Sequence, residues 1–215
     1  MTMKLWWREG WGSALIEAQA AEYGIELERI ALDDPETAED ALAEWMRLNP
    51  LAQLPTLLLE DGQVMTESAA ITLFLADHLH SDLLVPGPDA PERAAYLRWQ
   101  IWLVANVYAN ISIFDRAETL VPDPFEARGL RERLLEQRKA LWEQAAEAAG
   151  TPWFLGERFS ALDIYLAVML HWRPGLDWAA EHVPRLYNIA AAAAKRPAIA
   201  PVMARNFPEG LGAGL

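Results

Sequence analysis

The stretch that decides the fold is AQLPTLLLEDGQVMTESAAI, residues 52–71. Thr56–Leu59 and Gln63–Met65 read as two short strands joined around Asp61-Gly62, a tight hairpin signal, and Ser68 to Leu79 carries the apolar stripe of a helix. Pro55 stands where the first of these strands begins. A residue without an N–H is tolerated there only at an edge, at a bulge or as a strand's first residue. With Leu54-Pro55 cis, the N–H and carbonyl of Leu54 point away from the sheet and can pair with an extended peptide laid beside it. A trans proline at a sheet edge is the alternative.

Working outward, MKLWW (residues 3–7) is a short strand, REGWGS is a loop, and SALIEAQAAEYG has helical spacing from Ser13 until Gly24 ends it. IELERIAL alternates as a second strand, and ETAEDALAEWMRLN is an acidic helix closed by Pro50. Residues 1–80 therefore read βαβαββα. In HSDLLVPGPDAPE, Pro86, Pro88 and Pro91 mark a linker over 81–90. Beyond it, 91–215 is all helical, with helices over 91–119, 126–149, 160–172 and 184–195 and a last one from 198 with Pro201 in its first turn. Ser160-x-x-Asp163 has the form of a capping box, with Phe159 and Ile164 at the staple positions. The alanine run at 189–196 is a good helix former and carries no role.

A chain of 215 residues can hold two small domains, each with its own core. Its 18 Lys and Arg face 31 Asp and Glu, a net charge of −13 that repels phosphate backbones and anionic lipid and argues against nucleic acid or membrane as a partner. There is no cysteine, which removes disulfides, thiolate metal sites and a protein thiol nucleophile together. Any thiol in its chemistry must come with a ligand. His78, His80, His171 and His182 lack the short repeated spacing of a zinc site, so no metal is expected. No run approaches the roughly 18–20 apolar residues of a membrane span, and Met1–Leu5 begins no signal peptide. The expected location is cytoplasmic.

Taken together and in this order, NPLAQLPTL at the third strand, DGQVMTESAAI after it, the proline-rich linker and FSALDIYLAVML near residue 160 resemble the glutathione S-transferase family over the whole chain. The resemblance implies a thioredoxin-like domain over 1–80 that binds glutathione, and a helical domain over 91–215 that shapes the site of a hydrophobic electrophile. It implies an enzyme that activates the glutathione thiolate and transfers alkyl or aryl groups to it, and a homodimer joining the first domain of one copy to the helical domain of the other. A lyase, dehalogenase or peroxidase on the same scaffold, or a non-catalytic binding module, are the alternatives. Leu54, before Pro55, is expected to pair with the cysteinyl backbone of glutathione. Glu67 is expected to accept from its ammonium, and Ser68, at a helix N-terminus, to donate to its γ-glutamyl carboxylate.

The sequence departs from the family pattern at the thiol. The position of a strand tyrosine holds Trp, the loop has no cysteine, and Glu9 replaces a frequent proline. Ser13, the only side-chain hydroxyl between Met3 and Tyr23, is then the expected catalytic donor to the sulfur, and as a preferred N-cap it also opens the first helix. Backbone N–H groups around Trp11 and Gly12 are the alternative, with Trp11 flanking the thiol. Ala52 stands where some relatives place a histidine for the glycyl end, leaving Gln53 as a neutral substitute and Arg8 as a remote one. From RWQIWLVANVYANISIF and the residues just after it, the resemblance places Asn106, Tyr108 and Arg116 beside the electrophile.

Overall fold

Leu5 and Trp6, adjacent in β1 (Lys4–Trp7), enter opposite apolar layers, as successive residues of a pleated strand must. Leu5 joins Met3, Ile16, Leu57, Ile71 and Leu75, while Trp6 joins Leu32, Ala41, Trp45 and Leu54. The structure is a computed structural model describing residues 2–210.

β2 (Glu28–Ala31) runs parallel to β1 with Arg29 opposite Leu5, and β3 (Thr56–Leu58) runs antiparallel to β1 with Leu57 opposite Leu5. β4 (Val64–Met65) pairs antiparallel with β3, giving the order β2-β1-β3-β4. A parallel pair needs a crossover, and α1 (Ser13–Tyr23) supplies it before Gly24, at φ 71°, ends the helix. α2 (Ala38–Leu48) covers the Trp6 face through Ala41 and Trp45; α3 (Ser68–His78) shares the Leu5 face with α1. The expected βαβαββα order is present, with the second strand shorter than the alternating run that announced it.

The long helix expected over 91–119 is interrupted. α4 (Arg93–Trp102) passes into a π-helical segment, Leu103–Tyr108, then α5 (Ala109–Asp115), and after a break at Arg116 comes α6 (Ala117–Leu120). α7 (Pro124–Ala148) begins at Asp123, whose carboxylate accepts from the N–H groups of Phe125 and Glu126 at 2.9 Å each. α8 (Ala161–Met169) has the expected capping box at Ser160 and Asp163, and every one of its residues is buried. α9 (Leu176–His182) lies where the sequence pattern showed only a connection; it is short and starts beyond Gly175, at φ 100°. α10 (Pro184–Ala194) and α11 (Ala200–Asn206) complete the helical part. Leu54-Pro55 is cis, and so are Thr151-Pro152 and Arg173-Pro174, which the sequence did not announce.

The largest core cluster joins Ala14, Leu15 and Ala18 of α1 to Leu162, Tyr165 and Leu166 of α8. Every residue of α1 from Ser13 to Ala20 is buried, because the sheet lies on one side of it and the helical part on the other. The loop between β1 and α1 is therefore set at the seam. Among the described residues no helix is long and apolar enough to cross a membrane.

Candidate functional site

The segment before β3 is held from beneath by a buried polar hub. Asn49 Nδ2 donates to Gln53 O at 2.8 Å and to Thr56 Oγ1 at 3.0 Å, Trp45 Nε1 donates to Thr56 Oγ1 at 3.0 Å, and that hydroxyl donates to Gln53 O at 3.0 Å. Ala52 sits at φ 49°, a conformation costly for a residue with a Cβ, and the hub holds it there. The strand ladder starts only at Thr56. Leu54 is left with an N–H that donates to no described residue and a carbonyl that accepts from the Tyr108 hydroxyl at 2.9 Å. Leu54 thus lies outside the ladder with its N–H unused, an edge of the kind that takes an extended peptide.

Beside it lies the loop from Arg8 to Gly12. The N-cap of α1 is Gly12 and not Ser13, which corrects the expected cap: Ser13 is the first helical residue. Its side chain is fully buried; the hydroxyl donates to Arg8 O at 3.2 Å and accepts from Arg8 N–H at 3.3 Å. The single hydroxyl proton is thus committed to the loop. The N–H groups of Gly12 and Ser13 donate to no described residue. A Cβ at Gly12 would collide with the Tyr108 hydroxyl and the Leu54 carbonyl, so only glycine lets these two elements meet the loop. Trp11 is 46% exposed with the Arg8 guanidinium 4.8 Å from its ring centre.

A second helix N-terminus opens nearby. Glu67 is exposed at φ 62°, ψ 102°, and Ser68 is buried at the first position of α3, whose leading N–H groups no side chain caps. The Tyr165 hydroxyl lies beside Ser68 and Thr72, and burial pushes it up to about 12. Glu67 is near enough to Tyr108 to oppose its ionisation, a smaller effect than the burial that raises the phenol most. Two uncapped helix starts and the Leu54 N–H thus lie on one side of the molecule near Tyr108, an arrangement suited to an anionic, peptide-like ligand.

From the helical part, Tyr108 ends the π-helical segment and tilts against Trp172 with ring centres 5.3 Å apart. Such segments often re-aim side chains at functional sites. Arg116, at the break after α5, crosses to Gln53: with the amide oxygen turned toward the guanidinium, it accepts from Nη2 at 2.9 Å and Nη1 at 3.3 Å. Asn106 is not brought in by any contact; it is exposed and bonds back to Trp102 O at 2.9 Å. Among the described residues no group of His, Asp and Glu could hold a metal ion.

This geometry can be set beside known proteins. Residues 1–77 match the model of the glutathione S-transferase N-terminal domain. The chain is 33% identical over 207 residues to the uncharacterized GST-like protein YncG of Escherichia coli strain K12, covering 95% of this chain and 98% of that one. The chain belongs to the glutathione S-transferase family. Its fold is shared with a glutathione transferase homologue from Sulfitobacter solved with bound glutathione, at a TM-score of 0.79, 23% identity and coverage of 94% and 96%. It is also similar to a sphingomonad glutathione S-transferase complexed with glutathione, at a TM-score of 0.71, 26% identity and coverage of 93% and 96%.

The structure links Leu54 to Tyr108 and to the Gly12 backbone, Gln53 to Arg116 and Glu67 to Tyr108, while Ser13 turns its hydroxyl to Arg8. The sequence did not reveal the Asn49, Thr56 and Trp45 hub, nor Trp172 and Asn206, which reach the β1–α1 loop from the far end of the chain. Asn49 and Thr56 flank residues 50–55 and were legible in principle as buried polar residues in an apolar setting. The other two had no local signal.

Proposed function

We propose that this chain is a glutathione transferase that binds glutathione beside Leu54 and activates its thiolate for attack on a hydrophobic electrophile. The observation that carries this reading is the free N–H of Leu54, with its carbonyl, presented between the uncapped starts of α1 and α3. Leu54 takes the cysteinyl backbone, Glu67 the ammonium, Ser68 and the first turn of α3 the γ-glutamyl carboxylate, and Gln53 with Arg116 the glycyl carboxylate. The sulfur then falls toward Gly12, where the N–H groups of Gly12 and Ser13 stabilise the thiolate. This assigns activation to the backbone in preference to the Ser13 hydroxyl, whose proton goes to Arg8. Tyr108 and Trp11 border the electrophile. We further place residues 1–80 and 91–215 as the two domains of a cytoplasmic homodimer.

The test is calorimetric titration of glutathione into wild-type protein and Glu67→Ala, followed by an assay with an aryl halide. A charged hydrogen bond to the ligand's ammonium predicts a loss of about 1.5–3 kcal/mol in the variant. No heat of binding from the wild type, or binding without turnover of any electrophile, would overturn the assignment as a transferase.

A further inference from the structure

Gly10 is grasped on both of its backbone groups by the helical part. Its carbonyl accepts from Trp172 Nε1 at 2.7 Å and its N–H donates to Asn206 Oδ1 at 3.3 Å, partners 162 and 196 residues further along the chain. Asn206 is 2% exposed and is itself fixed, its Nδ2 donating to Glu17 Oε2 at 2.7 Å and to Val202 O at 3.0 Å. Glu17, facing back from α1, accepts from Arg29 Nη1 at 2.6 Å, Arg205 Nη2 at 2.7 Å and Trp7 Nε1 at 3.1 Å. A buried carboxylate with this many donors is rigidly placed.

The loop's own bonds do not reach Gly10. Trp11 N–H donates to Arg8 O, and Ser13 closes on the same residue. Gly10 stands at φ 70°, where glycine has little preference of its own. The peptides that follow carry the turn bonds Trp11 N–H to Arg8 O, Ala14 N–H to Trp11 O and Leu15 N–H to Gly12 O, and Trp172 and Asn206 fix where that turn as a whole sits against the helical part. Donors stabilise a charge only while they stay aimed at it, and the interaction falls steeply with misalignment.

We propose that Asn206 and Trp172 are positioning residues of this enzyme: by fixing Gly10 they aim the free N–H groups of Gly12 and Ser13 at the glutathione sulfur. This rests on the thiolate-activating reading given above, and it makes the helical domain a determinant of thiol acidity as well as of the electrophile site. A second tie supplies the control. At the far end of α1, Glu22 pairs with Arg196 Nε at 3.0 Å, an interdomain bond with no contact to the loop.

The experiment is ultraviolet thiolate titration of glutathione bound at saturation to wild type, Trp172→Phe, Asn206→Ala and Glu22→Gln, with calorimetry and thermal unfolding on each. Trp172→Phe removes the N–H while leaving an aromatic ring against Tyr108, so it decides the matter if Asn206→Ala does not fold. The expected result is a bound thiol pKa raised by about one unit in both loop variants, a tenfold smaller thiolate fraction below that pKa, with none of this in Glu22→Gln. Glutathione affinity should change by less than about threefold in all of them. A depressed wild-type pKa that the loop variants leave in place overturns the inference alone, as does an equal shift in Glu22→Gln, which would mean general loosening between domains. Wild-type protein that binds no glutathione, or binds it with the pKa of the free thiol, overturns the proposed activation and this inference with it.

Discussion

The Tyr108 hydroxyl donates to the carbonyl of Leu54 at 2.9 Å, so a side chain of the helical part occupies the backbone acceptor that an incoming peptide would use. The phenol remains a donor at any ordinary pH, because burial, and after it Tyr165, Glu67 and Asp115, hold its ionisation far above the usual range. On the reading proposed above, the cysteinyl N–H competes with the phenol for this carbonyl.

Tyr108→Phe should then tighten glutathione binding. The variant leaves the Leu54 carbonyl unoccupied, and a net hydrogen bond of about 1 kcal/mol no longer has to be broken, which corresponds to roughly a fivefold lower dissociation constant. Calorimetry decides it. Weaker binding would show that the phenol gives more to the bound ligand than it surrenders at Leu54.

Arg116 makes a sharper distinction possible. If its guanidinium, beside Gln53, takes the glycyl carboxylate, Arg116→Ala should weaken glutathione by about 1.5–3 kcal/mol, the range for a hydrogen bond to a charged group. γ-Glutamylcysteine, which lacks the glycine, should lose almost nothing. Equal losses for the two ligands would move Arg116 to the electrophile or to a purely structural role.

Ser13→Ala should leave the bound thiol's pKa where it is. The hydroxyl bonds Arg8 on both its donor and acceptor sides, so its removal costs stability, about 1 kcal/mol or somewhat more for a buried polar contact, and not activation. Thermal unfolding and thiolate titration on the same sample separate the two. A raised thiol pKa in folded protein would return the catalytic role to the Ser13 hydroxyl.

What the sequence made legible was what neighbours along the chain determine. The Asp61-Gly62 turn, the short strand run of β1, the capping box at Ser160 and the start of α3 at Ser68 are all fixed within a few residues, and each stands where expected. The β1–α1 loop was misjudged in one respect for the opposite reason. Ser13 is a preferred cap residue locally, but α1 is buried on all sides, and Arg8 is the partner that satisfies its hydroxyl there. That the helix breaks at Arg116 and sends its side chain across to Gln53 has no local signal either. Trp172 and Asn206 meet Gly10 only through the fold.

His171 gives the chain a calculable response to acid. Its ring stacks on Phe207 with centroids 4.0 Å apart and planes 12° from parallel, and Nε2 is buried without a partner among the described residues. Burial lowers the imidazole's pKa to about 4, against about 6.5 in an unfolded chain. The unfolded state then binds the proton more readily, so this group's contribution to stability is complete above about pH 6.5 and is lost as pH falls from there toward 4. His171→Phe keeps a ring against Phe207 and removes the titration. Its unfolding temperature should match or exceed that of the wild type near neutrality, and the gap between the two should widen steadily on acidification across that window. Curves that stay parallel from pH 7 to pH 4 would mean that His171 is protonated as readily in the folded chain as in the unfolded one, and that its burial imposes no penalty on the charge.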